Sequence, residues 1–104
     1  MLSKLVLAQI GCGYWGPNLL RNFSALPGCI VKYVADSNPE RREFVETNFP
    51  LSLAIETHQV VLDDPGVDGV VIATPAASHF ALAKQVLEAG KHVFVEKPLA
   101  TKVA

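Results

Sequence analysis

The stretch "IGCGYWGPNLL", Ile10 to Leu20, sets Gly11, Gly13 and Gly16 in Gly-x-Gly-x-x-Gly spacing. Short glycine patterns arise by chance, so the meaning of this one comes from its flanks. Before it runs "KLVLAQI", Lys4 to Ile10, an apolar stretch rich in branched residues that predicts a strand buried on both faces. After it, Pro17 falls in a first helical turn, where its missing N–H costs nothing. Leu19, Leu20, Phe23 and Leu26 then recur at helical spacing until Pro27-Gly28 stops the helix. A strand, a glycine turn and a helix in this order can receive a diphosphate. Gly11 permits the tight turn, Gly13 lets the backbone approach the pyrophosphate, and Gly16 lets the helix pack on the strand. The helix start offers free N–H groups and a partial positive charge to the phosphates.

The same alternation continues to the end of the chain. "CIVKYVAD", Cys29 to Asp36, predicts a second strand, and Ser37 or Asn38 can cap a helix opening at Pro39. Leu51 to Ala54 is a weak third strand. Thr57 suits the cap of a short helix through Val60, Val61 and Leu62, which "DDPG" ends. "VDGVVIAT", Val67 to Thr74, is the strongest strand pattern. A helix follows from about Ala76 to Ala89, with Phe80, Ala83 and Leu87 on one stripe and Leu82 and Val86 beside it. Gly90 stops it, and "HVFVE", His92 to Glu96, is a fifth strand. Buried strands joined by helices give an α/β fold: a three-layer, Rossmann-like, doubly wound parallel sheet of about five strands.

An acid at the end of the second strand strengthens the glycine reading. Asp36 lies 36 − 16 = 20 positions after the third glycine. A carboxylate there accepts hydrogen bonds from the adenosine ribose and repels a 2′-phosphate. No arginine follows directly in "DSNPE". The expected cofactor is therefore NAD rather than NADP. The competing role for Asp36 is to cap the next helix.

Composition excludes several classes. The 104 residues are 50% hydrophobic and 18% charged, which suits one globular domain. A formal net charge of −1 supplies no field to recruit nucleic acid or an anionic membrane. No apolar run is long enough to cross a bilayer. The N-terminal apolar run is broken by a lysine and enters the glycine turn, so it reads as a strand and not as a signal peptide. Two cysteines, Cys12 and Cys29, are too few for a disulfide framework and are expected to be reduced thiols in a cytoplasmic protein. Cys12 reads as a small residue tolerated between glycines. His58 and His92 read as surface or strand-start residues. None of the histidines has metal-ligand spacing, so no metal is expected.

Two later segments carry a resemblance. "VIATPAASHFALAKQVLEAGKHVFVEKPLA", Val71 to Ala100, together with "GCGYWGPN", closely resembles the Gfo/Idh/MocA oxidoreductases: glucose–fructose oxidoreductase, inositol dehydrogenase and their relatives. "EKP" at Glu96, Lys97 and Pro98 is that family's signature, and "ATP" followed by His79 is another part of it. "GCGYWGPNLLRNF" is most similar to the branch that oxidises nucleotide sugars at C3. The resemblance implies that Thr74 and Pro75 lie beside the cofactor at the end of the fourth strand. It places Glu96 and Lys97 near the nicotinamide at the end of the fifth. Lys97 is then the residue tied to catalysis, hydrogen-bonding the reacting oxygen or helping to shuttle its proton. A cis bond at Pro98 would aim it. Tyr14 and Trp15 would flank the nicotinamide or pyrophosphate of the cofactor or simply pack beside the turn, Ser37 would stand beside Asp36, and His79 would be a structural or cofactor-edge residue.

The resemblance also implies a second, substrate-binding α/β domain. Residues 1–104 are thus expected to be the NAD(P)-binding domain, in part, with the substrate domain absent and little or no activity alone. Hydride transfer to or from a sugar, nucleotide-sugar or polyol hydroxyl is the expected ancestral chemistry. The alternative is a non-catalytic nucleotide module that binds coenzyme A or senses NADH; a further one is a fold that binds nothing. An unpaired fifth strand and an exposed apolar patch predict self-association to a homo-oligomer. Sedimentation as a clean monomer at high concentration counts against that.

Overall fold

Leu5–Ile10 forms strand β1, and Gly16–Ala25 forms helix α1. Cys29–Ala35 is β2, Pro39–Asn48 is α2 and Leu53–Ile55 is β3. Gln59–Asp63 is α3, Gly69–Ile72 is β4, Ala76–Glu88 is α4 and His92–Val95 is β5. The computed structural model describes residues 5–12, 16–74 and 76–95. Among the described residues five strands form one sheet, all parallel, in the order β3-β2-β1-β4-β5. The chain steps outward from β1 to β3, then crosses back to β4 on the other side of β1. This reversal opens a crevice at the carboxyl ends of β1 and β4, where open α/β sheets take their ligands.

Two apolar layers flank the sheet. On one side Leu20 of α1 and Val45 of α2 pack with Val31, Val34 and Cys12. On the other, Val61 of α3 and Leu82 and Val86 of α4 pack with Ala8, Ile10, Tyr33, Val70 and Ile72. The expected stripe on α4 is corrected here. Leu82 and Val86, one turn apart, face the sheet, while Phe80 is 82% and Leu87 is 62% exposed. Two adjacent stripes of similar hydropathy leave the helix phase open, and sheet packing selects one of them. At the sheet edge, Phe94 and Val95 of β5 are partly exposed too.

Several predicted boundaries move by one or two residues. β3 is shifted to Leu53–Ile55, and β4 is trimmed to Gly69–Ile72. Asn38 caps α2, its Oδ1 accepting the Glu40 N–H at 2.8 Å with Pro39 next in line. His58, already helical in φ and ψ, directly precedes α3 and makes no side-chain capping bond. The expected cap is Thr57, whose hydroxyl accepts the Gln59 N–H at 3.2 Å.

A bulge in β2 organises the amino end of the sheet. Leu7 pairs with Val31 but Ala8 pairs with Tyr33, so Lys32 is skipped. The skip shifts the pleat by one residue and puts Val31 and Val34 in the same apolar layer. It also lets consecutive side chains converge. The Lys32 Nζ and the Tyr33 hydroxyl each donate to Asp64 Oδ2 at 2.7 Å. The Gly66 N–H donates to Asp64 Oδ1 at 2.8 Å. Nearby, the buried Lys91 Nζ donates to the carbonyls of Asp64 at 2.6 Å and Val67 at 3.0 Å.

These contacts set a pH dependence of stability. The Lys32 ammonium, then the Tyr33 hydroxyl and the Gly66 N–H, hold the Asp64 carboxyl well below the usual carboxylate range. A carboxylate depressed in the folded state stabilises above its ordinary value of 3.8 and loses that contribution as pH falls toward the folded value. The same bonds to Asp64 raise Lys32 and Tyr33. Their share is complete below the ordinary tyrosine value of 10.0 and is lost as pH rises through the folded values. Melting temperature plotted against pH should therefore fall below about pH 4. Asp64→Asn should flatten this acid limb while leaving dinucleotide binding intact. An unchanged acid limb in the variant would contradict the assignment.

Candidate functional site: a cleft at the carboxyl edge

The ladder continues past the strand ends and aligns four turns. The Gly11 N–H donates to the Ala35 carbonyl at 2.7 Å, and Ala73 N–H to Ile10 at 2.8 Å. The Asp36 N–H donates to Ile55 at 2.9 Å. Gly11, Asp36 and Thr74 thereby meet at one edge of the sheet. They line a cleft of about 560 Å³, with Ser37, His58, Ser78 and Leu82 among its other walls. That volume suits part of a nucleotide.

Gly11 turns the chain with φ at +92°, a region that L side chains rarely adopt. A Cβ there would sit 2.8 Å from Thr74 Cγ2 and 3.0 Å from the Ala73 carbonyl oxygen. The first glycine therefore lets two turns approach each other as well as letting the chain bend. Gln9, buried in β1, steadies the turn by donating its Nε2–H to the Gly11 carbonyl at 2.9 Å. A glutamine inside an apolar central strand is the signal that could have flagged it.

Asp36 holds both sides of the cleft. Its Oδ2 accepts the Cys12 N–H at 2.8 Å, and its Oδ1 accepts the Asn38 N–H at 2.9 Å. The carboxylate is thus tied to the glycine turn, and the task of capping α2 falls to Asn38. An ionised carboxylate accepts about four hydrogen bonds. The two made among the described residues leave about two, which matches the two hydroxyls of a ribose. Arg42 spends its guanidinium on the turn itself, donating to the carbonyls of Asp36 at 2.9 Å and Ser37 at 3.1 Å. Burial, then the Asp36 charge, pushes the Cys12 thiol up, with Arg41 opposing. A protonated, fully buried thiol is packing, not a nucleophile.

On the opposite wall, His79 Nε2 lies 2.7 Å from the Thr74 carbonyl. A carbonyl only accepts, so Nε2 carries the hydrogen and fastens the turn between β4 and α4. The Thr74 Oγ1 is buried and has no hydrogen-bond partner among the described residues. A buried hydroxyl left unpaired at the mouth of a cleft is where a ligand's polar group is expected. The orphaned hydroxyl, the open carboxylate positions and the glycine contact together fit a dinucleotide's adenosine half.

The structure thus brings Gly11, Asp36, Ser37 and Thr74 to one cleft, with His79 bracing it and Gly16 opening α1. Gly13, Tyr14, Trp15, Pro75, Glu96 and Lys97, and the proposed cis bond at Pro98, lie outside the described residues. His58, expected at the surface, is half-buried and lines the cleft. Ser78 was not anticipated either.

Comparison with known proteins follows the same line. Residues 6–104 match the family model GFO_IDH_MocA, described as an oxidoreductase family with an NAD-binding Rossmann fold. The scyllo-inositol 2-dehydrogenase (NAD(+)) of Bacillus subtilis is 36% identical over 100 residues, covering 95% of this chain and 29% of that protein. The crystal structure of GenD2 from gentamicin A biosynthesis, in complex with NAD, superposes with a TM-score of 0.86 at 35% identity. It covers 95% of this chain and 28% of GenD2. A point mutant of the 3-ketoreductase KijD10 of Actinomadura kijaniata, solved with TDP-benzene and NADP, gives a TM-score of 0.84 at 28% identity, over 93% and 31% of the two chains. The chain therefore spans under a third of the length of these relatives. Fold, glycine turn, strand-end acid and family match agree: the chain belongs to the GFO_IDH_MocA oxidoreductase family, as its NAD-binding Rossmann domain.

Proposed function

We propose that the cleft binds the adenosine half of NAD and that the chain is the cofactor half of a sugar, nucleotide-sugar or polyol dehydrogenase. The observation that carries this is Asp36: a carboxylate fixed by two backbone N–H groups, with room for two more donors. Gly11, Gly13 and Gly16 receive the pyrophosphate, and Ser37, Thr74 and Pro75 border the adenosine and ribose. Tyr14, Trp15 and Glu96 flank the cofactor. A 2′-phosphate would meet the Asp36 charge, which favours NAD over NADP although KijD10 was solved with NADP.

Bound NAD supplies the hydride acceptor. Lys97 follows β5 by two residues, and its ammonium hydrogen-bonds the reacting oxygen and stabilises charge developing there as hydride departs. Oxidation also needs a pocket that holds the substrate carbon within hydride reach. We assign that pocket to a second, substrate-binding domain beyond residues 1–104. A second copy covers the Phe80–Leu87 face of α4, giving a homo-oligomer. We place the protein in the cytoplasm, where Cys12 and Cys29 stay free thiols.

Calorimetric titration with NAD, NADH, NADP and coenzyme A tests the reading. NAD and NADH should bind, NADP about tenfold more weakly, and coenzyme A not at all. Binding of coenzyme A alone would replace the proposal with a non-catalytic module. Silence with every ligand would leave a fold without a site.

A further inference from the structure

His58 stands where the base of the nucleotide would end. The carboxyl ends of the strands run in the order β4, β1, β2, β3. The glycine turn follows β1, Asp36 follows β2 and His58 follows β3. His58 therefore lies past Asp36, on the side away from the diphosphate turn, yet it lines the same cleft. Its Nε2 is 3.0 Å from Oε1 of Gln85, a residue of α4. That bond links the β3 end of the cleft to its α4 wall.

The pairing fixes the chemistry of the ring. An amide oxygen only accepts, so Nε2 carries the hydrogen. In the neutral imidazole Nδ1 is then left with a lone pair and no hydrogen. We propose that His58 is a base-selecting residue, its Nδ1 accepting a hydrogen from the 6-amino group of adenine, with Gln85 as the positioning residue that sets the tautomer. A 6-oxo purine presents a lone pair at that place, so lone pair would face lone pair. The cleft thereby selects an amino purine, which the Asp36 grip on the ribose does not do. The inference rests on the reading that this cleft holds a dinucleotide.

The test compares NAD with nicotinamide hypoxanthine dinucleotide, in which a 6-oxo group and an N1–H replace the 6-amino group and the bare N1 of adenine. Both are titrated calorimetrically into the full chain. The wild type should bind NAD about tenfold more tightly than the hypoxanthine analogue, since a site that hydrogen-bonds a donor rejects an analogue lacking it. His58→Ala and Gln85→Met should each bring the ratio to about two or below, and His58→Gln, which keeps an acceptor, should restore part of it. A purely structural role would weaken both ligands equally and leave the ratio unchanged. If His58→Ala does not fold, the wild-type ratio and Gln85→Met still decide. NAD binding with a wild-type ratio near one, or a ratio unmoved in the folded variants, overturns the base-selecting role and leaves the cofactor site standing. Binding of neither dinucleotide overturns both.

Discussion

Gly11→Ala is expected to be the most damaging single substitution among the described residues, lowering the urea midpoint by about 2 M and abolishing dinucleotide binding. Two costs add. At φ +92° an alanine meets its own backbone, at about 1–2 kcal/mol. Its Cβ also meets Thr74 Cγ2 at 2.8 Å and the Ala73 carbonyl at 3.0 Å, and overpacking of this kind costs about 1–3 kcal/mol. The carbonyl cannot withdraw, because the Ala73 turn is anchored through its N–H to Ile10. Together these take a large part of the roughly 5–15 kcal/mol that holds a domain folded. Adding Thr74→Ser removes the Cγ2 clash and should recover part of the loss, leaving the backbone strain. A midpoint within about 0.3 M of wild type would mean that the two turns are not in contact as described.

Asp36→Ala has the largest expected effect on binding itself. Two charge-assisted hydrogen bonds to the ribose, at about 1.5 kcal/mol each, correspond to a loss of roughly a hundredfold in NAD affinity. NADP affinity should fall much less or rise, because the like charge facing its 2′-phosphate is gone. Arg41, whose field already reaches the neighbouring Cys12 thiol, remains to attract that phosphate. The variant also strips the Cys12 N–H of its acceptor, so its titration belongs well below its melting temperature. Unaltered NAD affinity would place the nucleotide elsewhere.

What was legible in the sequence followed from local chemistry. Three glycines between an apolar run and a proline, with an acid twenty positions on, mark the turn, the helix start and the end of the second strand within one βαβ unit. What was not legible depends on packing between distant segments. Leu82 and Phe80 are equally apolar, and only the sheet decides which one is buried. The skip at Lys32 leaves no mark in "CIVKYVAD", because a bulge is a property of two strands and not of one. His58 joins the cleft through Gln85, 27 residues later, a distance that no local pattern spans. Asp36 stands out in the sequence as the acid that ends the second strand, but its hold on the Cys12 N–H, which makes it a fastener of the glycine turn, does not.

The pairing of β1 has a kinetic side. Leu7 lies against Val31 on one flank and Gly69 on the other, neighbours 24 and 62 residues downstream. During synthesis the β1–β2–β3 half can assemble early, while the opposite flank of the central strand waits for β4 to leave the ribosome. Until then a row of amides and carbonyls in the middle of the future domain stands open to any passing extended peptide. Long-range parallel closure of this sort is slow, so the interval before β4 arrives is when the nascent chain is most exposed to mispairing.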